Sequence, residues 1–175
     1  YILFFGLYNS IGAKICFQFA RDLQISKYNY FHYENISKKD HLTNIPNRYL
    51  FDQTLANYYH TNHDVTLLLF DINKFKLIND TYGHDVGDLV LKKFSATLLQ
   101  QCAWNEQVFR LGGDEFAIVY PRIIEEPEYL QLMHTIKRAV NVQSVHLNKQ
   151  QKAFFQTSIG YSNSRDCPTS DTLYK

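Results

Sequence analysis

The sequence predicts an α+β fold: an antiparallel-rich sheet with helices on one side, in a palm-like, ferredoxin-like arrangement. Three observations lead there. The run from Val108 to Val119 alternates apolar residues on both sides of Gly112-Gly113, and two adjacent glycines between strand-like stretches signal a hairpin. Val65 to Asp71 is a continuous apolar run closed by an acid, which suits a central strand covered on both faces. Between and after these lie stretches of helical periodicity, so the order reads helix, strand, helix, hairpin, helix, strand.

The elements follow in turn. From about Ile15 to Lys39 there is no Pro or Gly, and Phe19, Leu23, Tyr30, Tyr33 and Ile36 fall at roughly helical spacing. This reads equally as a linker helix that pairs with its twin or as a solvated helix packed on its own domain. Asn44 is the expected N-cap of the next helix, with Pro46 in its first turn. That helix runs to about Tyr59 and buries Leu50, Phe51 and Leu55. The strand from Val65 to Asp71 comes next. Val86, Val90, Phe94 and Leu98 then mark an amphipathic helix from Val86 to Gln100. Gln107 to Val119 is the hairpin. Pro127 to Val140 is a helix presenting Leu130, Met133, Ile136 and Val140, and Phe154 to Tyr161 is a strand.

Composition narrows the class. The chain has 175 residues, a formal net charge of +1, 13 Tyr and 13 Phe. That is a globular composition, large enough for one domain with an appended segment, with no strong field for nucleic acid. Cys16, Cys102 and Cys167 form no Cys-x-x-Cys pair, so buried thiols in a reducing cytoplasm are expected. The chain begins at Tyr1, not Met, which reads as a fragment. Its apolar start, Tyr1 to Tyr8, is too short to span a bilayer. It suits the tail of a membrane helix slightly better than a buried piece of an upstream sensory domain.

The chemistry concentrates at the hairpin. Both glycines accept positive φ, and Asp114 and Glu115 follow at once. Acid on a tight, exposed turn is poor packing material and good metal-binding material. The run Arg110-Leu111-Gly112-Gly113-Asp114-Glu115-Phe116 resembles the signature of the GGDEF family, the diguanylate cyclases. Asp40-His41-Leu42-Thr43-Asn44-Ile45-Pro46-Asn47-Arg48 and the stretch from Phe70 to Asp88 resemble two further motifs of that family, in the same order and spacing. The resemblance covers roughly 40 to 160. It implies a fold of the nucleotide cyclase type, shared with adenylyl cyclases and polymerase palms. It also implies a division into 1–39, the end of an upstream sensory or membrane region with a linker helix, and 40–175, the GGDEF domain.

The resemblance implies magnesium or manganese held by Asp71, the backbone carbonyl of Ile72, and Asp114, with Glu115 as a second ligand or in a catalytic role. Two carboxylates side by side would repel without a cation between them, and hard oxygen ligands beside phosphate favour these ions. The reaction implied is attack of a 3′-hydroxyl on an α-phosphate with pyrophosphate leaving, Asp114 or Glu115 accepting the proton. Lys76 would stabilise phosphate charge, and the amides of Lys74 and Phe75 would cradle the β- and γ-phosphates. Gly112 and Gly113 would let the nucleotide approach the turn. Asn79 and Asp88 map onto guanine binding: a carboxylate accepts from guanine N1–H and its amino group together, where adenine offers an acceptor at N1. Each has a plainer reading: a strand-end cap for Asp71, a solvated lysine for Lys76, a turn role for Asn79, helix capping for Asp88. Asp80, Gly83 and His84 are expected to shape the loop, and Arg110 to pack or pair beside the hairpin.

The chain departs from the family pattern in four places. Asn73 stands where many relatives carry a second Asp, and Asn44 replaces the usual Gly. The product-inhibition motif Arg-x-x-Asp reads Ala103-Trp104-Asn105-Glu106, without its arginine. The chain also stops at Lys175, before the family's last strand and a terminal helix that bears phosphate-holding cations, so weak GTP binding by this piece is expected. The reading is a homodimeric diguanylate cyclase acting on GTP. It would be the cytoplasmic catalytic domain of an inner-membrane-anchored protein with an upstream sensory domain, and it would not bind nucleic acid. The alternatives are a non-catalytic GTP-binding regulatory domain, or a cyclase of the same fold with another substrate, against which Asn79 and Asp88 argue.

Overall fold

The computed structural model describes residues 18–19, 21–25, 38–103, 105–148, 151–167, 169 and 172–173. The chain divides into two compact units, Tyr1–Ser37 and Lys38–Lys175. In the first, residues 18–19 and 21–25 are helical, with Phe19, Leu23 and Ile25 exposed. The apolar run Tyr1 to Tyr8, Cys16 and the other residues of the expected linker helix up to Ser37 lie outside the described residues; Lys38 and Lys39, at its expected end, are not helical, and Lys39 forms an isolated bridge with Pro46. Among the described residues no helix is long and apolar enough to cross a membrane.

The second unit is built on a four-stranded sheet. Its elements are α1 (Arg48–His60), β1 (Thr66–Ile72), α2 (Phe75–Tyr82), α3 (His84–Gln101), β2 (Gln107–Gly112), β3 (Glu115–Tyr120), α4 (Glu126–Asn141), β4 (Ser144–His146), β5 (Lys152–Phe154) and β6 (Thr157–Asn163). The sheet order is β2-β3-β1-β6, and every pairing in it is antiparallel. The apolar run 65–71 is therefore interior, as its composition requires.

Strand alternation divides the core in two. Leu68, Phe70, Ile72, Phe116, Ile118 and Tyr120 face α3 and α4 and share one cluster with Val90, Phe94, Leu98, Ile136 and Val140. Phe94 is its pivot: its ring meets Phe116, Phe70 and Phe155 edge-on, at centroid distances of 4.9, 6.3 and 6.2 Å. Leu67, Phe109, Ala117 and Val119 point the other way, against Phe51 and Leu55 of α1. The expectation of helices on one side is corrected here. α1 covers the second face, because Leu67 and Phe109 on that face are as apolar as their neighbours.

Other differences have local causes. The cap of α1 is Asn47, whose Oδ1 accepts from Leu50 N at 3.2 Å, so neither Asn44 nor Pro46 belongs to the helix. Asn44 instead sits in a loop at φ 59°, a left-handed conformation that asparagine tolerates and glycine favours. Leu130 is exposed; the buried side of α4 runs through Leu132, Ile136 and Val140. The strand expected from Phe154 to Tyr161 is two: β5 pairs with β4 in a separate hairpin, and β6 begins at Thr157. Helix α2 is only eight residues long and has no side-chain cap, so it announced itself weakly. Cys102 and Cys167 are half-buried free thiols, and burial pushes the Cys102 thiol up to about 12.

Candidate functional site

The β2–β3 turn is a glycine turn by conformation. Gly112 and Gly113 have φ of 149° and 51°. A Cβ built on either would meet nothing within 4 Å, so backbone angle, not space, calls for glycine here. The strand register shifts between Arg110 and Gly112. This bulge places Leu111 against the sheet and the turn at its end.

The register then sets the acids. Asp71, near the end of β1, lies opposite Glu115, the first residue of β3. Like charges facing each other across a strand pair are destabilising. Asp114, in the turn, is tied to β1 through its carbonyl, which accepts from Ile72 N at 3.4 Å. The carboxyl of Asp71 is held above its ordinary value, first by partial burial and then by the charge of Asp114. Asp71 and Glu115 line a cavity of about 290 Å³ with Leu69, Leu111, Ser158 and Gly160. Thr157 Oγ1 donates to the Asp71 carbonyl at 2.9 Å, fixing the strand end.

Among the described residues no three metal-ligating side chains gather into a ready cage. The protein offers neighbouring carboxylates and backbone carbonyls. That donor set suits magnesium, which takes one or two carboxylates and completes its shell from phosphate and water. Asn73 is engaged elsewhere, its Oδ1 accepting from Ser158 Oγ at 2.7 Å.

Beyond β1 the chain turns sharply. Lys74 stands at φ 57° as the N-cap of α2 and supplies no side-chain cap. The first amides of α2 therefore lack the capping oxygen that helices usually carry, a disposition that favours an anion. Lys74 and Lys76 are both exposed there and Phe75 is half-buried.

The two base-reading candidates lie on adjoining helices. Asn79 is half-buried on α2, and its Oδ1 is buried with no hydrogen-bond partner among the described residues. Such an orphan acceptor costs about 1–3 kcal/mol until a donor satisfies it. Asp88 is exposed on α3. The plain capping role for Asp88 is not what the structure shows, because the N-cap of α3 is Gly83. Asn79 lies inside α2 and not in a turn.

One connection was underread from sequence. Arg110 reaches Asp40 Oδ1 with Nη1 at 2.8 Å and the Gly113 carbonyl with Nε and Nη2 at 3.1 and 2.7 Å. The same Asp40 oxygen accepts from Thr43 N and Oγ1. Burial alone would raise the Asp40 carboxyl; hydrogen bonds from Thr43 and Arg110 outweigh it and hold the carboxyl below its ordinary value. Arg110 thus clamps the glycine turn to the 40–47 loop. The Arg110-Leu111-Gly112-Gly113 spacing and the acid at Asp40 were visible, but their meeting across 70 positions needed the fold.

The family model for the diguanylate cyclase GGDEF domain matches residues 37–175. The chain is 38% identical over 135 residues to the probable diguanylate cyclase DgcI of Escherichia coli, covering 77% of this chain and 28% of that protein. It is 37% identical over 132 residues to an uncharacterized membrane protein of Staphylococcus haemolyticus, covering 73% of this chain and 37% of that one. The chain thus spans about a third of the length of these curated relatives. Among solved structures, the GGDEF domain of YfiN (TpbB) from Pseudomonas aeruginosa superposes with a TM-score of 0.69 at 26% identity, covering 75% of this chain and 84% of that one. The coiled coil and GGDEF domain of DgcB from Caulobacter crescentus, in complex with c-di-GMP, gives 0.79 at 22% identity, covering 94% and 88%, a likeness of fold.

Proposed function

The chain belongs to the GGDEF domain family of diguanylate cyclases, and on that footing we propose that it condenses two GTP into cyclic di-GMP, releasing two pyrophosphates. The observation that carries the reading is the strand-end pairing of Asp71 with Glu115 beside Asp114 and an uncapped helix start. A carboxylate whose proton affinity is raised by partial burial and a neighbouring acid, as at Asp71, awaits a cation, and a bare helix N-terminus awaits an anion. A metal triphosphate supplies both.

In this reading the α2 amides at Lys74 and Phe75, with Lys76, bind the β- and γ-phosphates and stabilise charge as pyrophosphate departs. Asp71, the Ile72 carbonyl and Asp114 hold magnesium or manganese, which supplies Lewis acidity at the phosphoryl oxygens when bound. Glu115, exposed at the mouth of the cavity, takes the proton from the attacking 3′-hydroxyl. Each attack forms one P–O bond and breaks one to pyrophosphate; two such attacks close the ring. Because one copy offers one guanine pair and one acid cluster, two copies face each other during the reaction. The relatives named as membrane proteins favour a cytoplasmic domain of a longer, membrane-anchored protein with an upstream sensor.

Asp88 and Asn79 select guanine. Asp88→Ala removes paired acceptors from the base and is expected to weaken GTP binding by about 1–3 kcal/mol while leaving ATP binding unchanged. Equilibrium titration with both nucleotides reads this directly, and equal affinity of the unmutated protein for GTP and ATP would sink it.

Product feedback through the turn before β2 is expected to be absent. Glu106 Oε2 already accepts from Ala103 N at 2.7 Å, and position 103 carries no guanidinium. Tight inhibition by cyclic di-GMP that disappears in Glu106→Ala would contradict this.

A further inference from the structure

The corner between α2 and α3 is a single residue. Gly83, at φ 84°, ends one helix and starts the next. Its N–H donates to the Asn79 carbonyl at 2.8 Å, and the Gly87 N–H donates to the Gly83 carbonyl at 3.3 Å. Asn79 and Gly87 therefore stand one helical turn to either side of the corner. Two helices leaving one residue cannot spread apart that close to it, so the side chains there compete for the same space.

Gly87 is buried. A Cβ at that position would lie 1.9 Å from Asn79 Oδ1, 3.0 Å from Asn79 Cγ and 3.3 Å from Phe75 Cζ. The carboxamide of Asn79 fills the volume that any side chain at 87 would need. Gly87 is helical, and glycine weakens a helix interior relative to alanine. Its use here is the missing side chain, not conformational freedom. No donor in the described residues holds Asn79 Oδ1, so shape alone seats it.

We infer that Gly87 is a positioning residue for base recognition: it seats the Asn79 carboxamide in the α2–α3 corner, and a side chain at 87 drives that amide out and erodes the choice of guanine over adenine. This rests on the guanine reading of Asn79 given above. Gly87 itself need not touch the nucleotide; it acts through Asn79.

The test is a cycle of four proteins: unmutated chain, Asn79→Ala, Gly87→Ala and the double variant, each titrated with GTP and with ATP and each melted thermally. Asn79→Ala and Gly87→Ala are each expected to lower the GTP-to-ATP affinity ratio by about tenfold. The double variant is expected to lose no more than Asn79→Ala alone, because the group that Gly87 seats is already gone. Gly87→Ala should lower the melting temperature of the unmutated chain but not that of Asn79→Ala, where the clashing amide is absent. If Gly87→Ala alone fails to fold, the double variant must still fold and bind like Asn79→Ala. A Gly87→Ala protein with unaltered discrimination, beside an Asn79→Ala protein that has lost it, overturns the inference and leaves the guanine reading standing. Equal losses from Gly87→Ala in both backgrounds, or a double variant that does not fold, overturn it too. Unaltered discrimination in Asn79→Ala overturns the guanine reading itself.

Discussion

Asp71→Asn is expected to lower turnover by about 100- to 1,000-fold or more while leaving the fold intact. The side chains are nearly isosteric, so the β1–β3–β6 pairing is preserved, and only the charge that would hold a metal triphosphate is lost. Stability moves the opposite way. The Asp71 carboxyl titrates above its ordinary value of 3.8, because of partial burial and then Asp114. An acid whose folded pKa is raised is destabilising while ionised, so the cost is present above the folded pKa and is relieved as pH falls through it. The unmutated chain should gain stability on acidification through that window, and Asp71→Asn should start slightly more stable and lack the gain. Metal affinity should weaken in the same window, because a bound proton must leave first. Unchanged turnover in Asp71→Asn would remove the metal assignment.

Arg110→Ala is expected to cost about 3 kcal/mol of folding stability and most of the turnover. The Arg110–Asp40 pair is largely shielded, with side chains 10% and 16% exposed. Removing one partner of such a pair leaves the other charge buried without compensation, which is worth more than the pair itself. The variant also frees the Gly113 carbonyl from two donors, so the turn that carries Asp114 loses its clamp. The pH dependence follows from Asp40. Its folded pKa is depressed, so its contribution is present above the ordinary value and lost only as pH falls through the folded one. Arg110→Ala should therefore unfold at higher pH during acid titration. A denaturant midpoint and turnover equal to those of the unmutated chain would show the clamp to be incidental.

How much of this could be read beforehand differed by element. The hairpin and the central strand were plain because Gly112-Gly113 and the run 65–71 each state their role locally. Sheet topology makes Asp71 and Glu115 direct neighbours, whereas the family resemblance sets Asp71 beside Asp114. Covering of the second face by α1 was missed, although Phe51, Leu55, Leu67 and Phe109 supply an apolar set for it. The β4–β5 hairpin was missed because three-residue strands carry too little alternation to register. Arg110 is legible in sequence as a residue that packs or pairs beside the hairpin, but its partner Asp40 is not, since it lies 70 positions away. Gly87 looked like one more motif glycine; that its missing Cβ is filled by Asn79 is a fact of three dimensions alone.

The central claim is that this chain joins two GTP across two copies. The most direct measurement is to incubate it with GTP and magnesium over several decades of protein concentration and resolve the nucleotides by chromatography. Cyclic di-GMP with two pyrophosphates per molecule, none from ATP, and a specific activity that rises with concentration is the predicted result. GTP that binds with the expected discrimination yet is recovered intact at every concentration would contradict it, and would mark the chain as a nucleotide-binding regulatory domain.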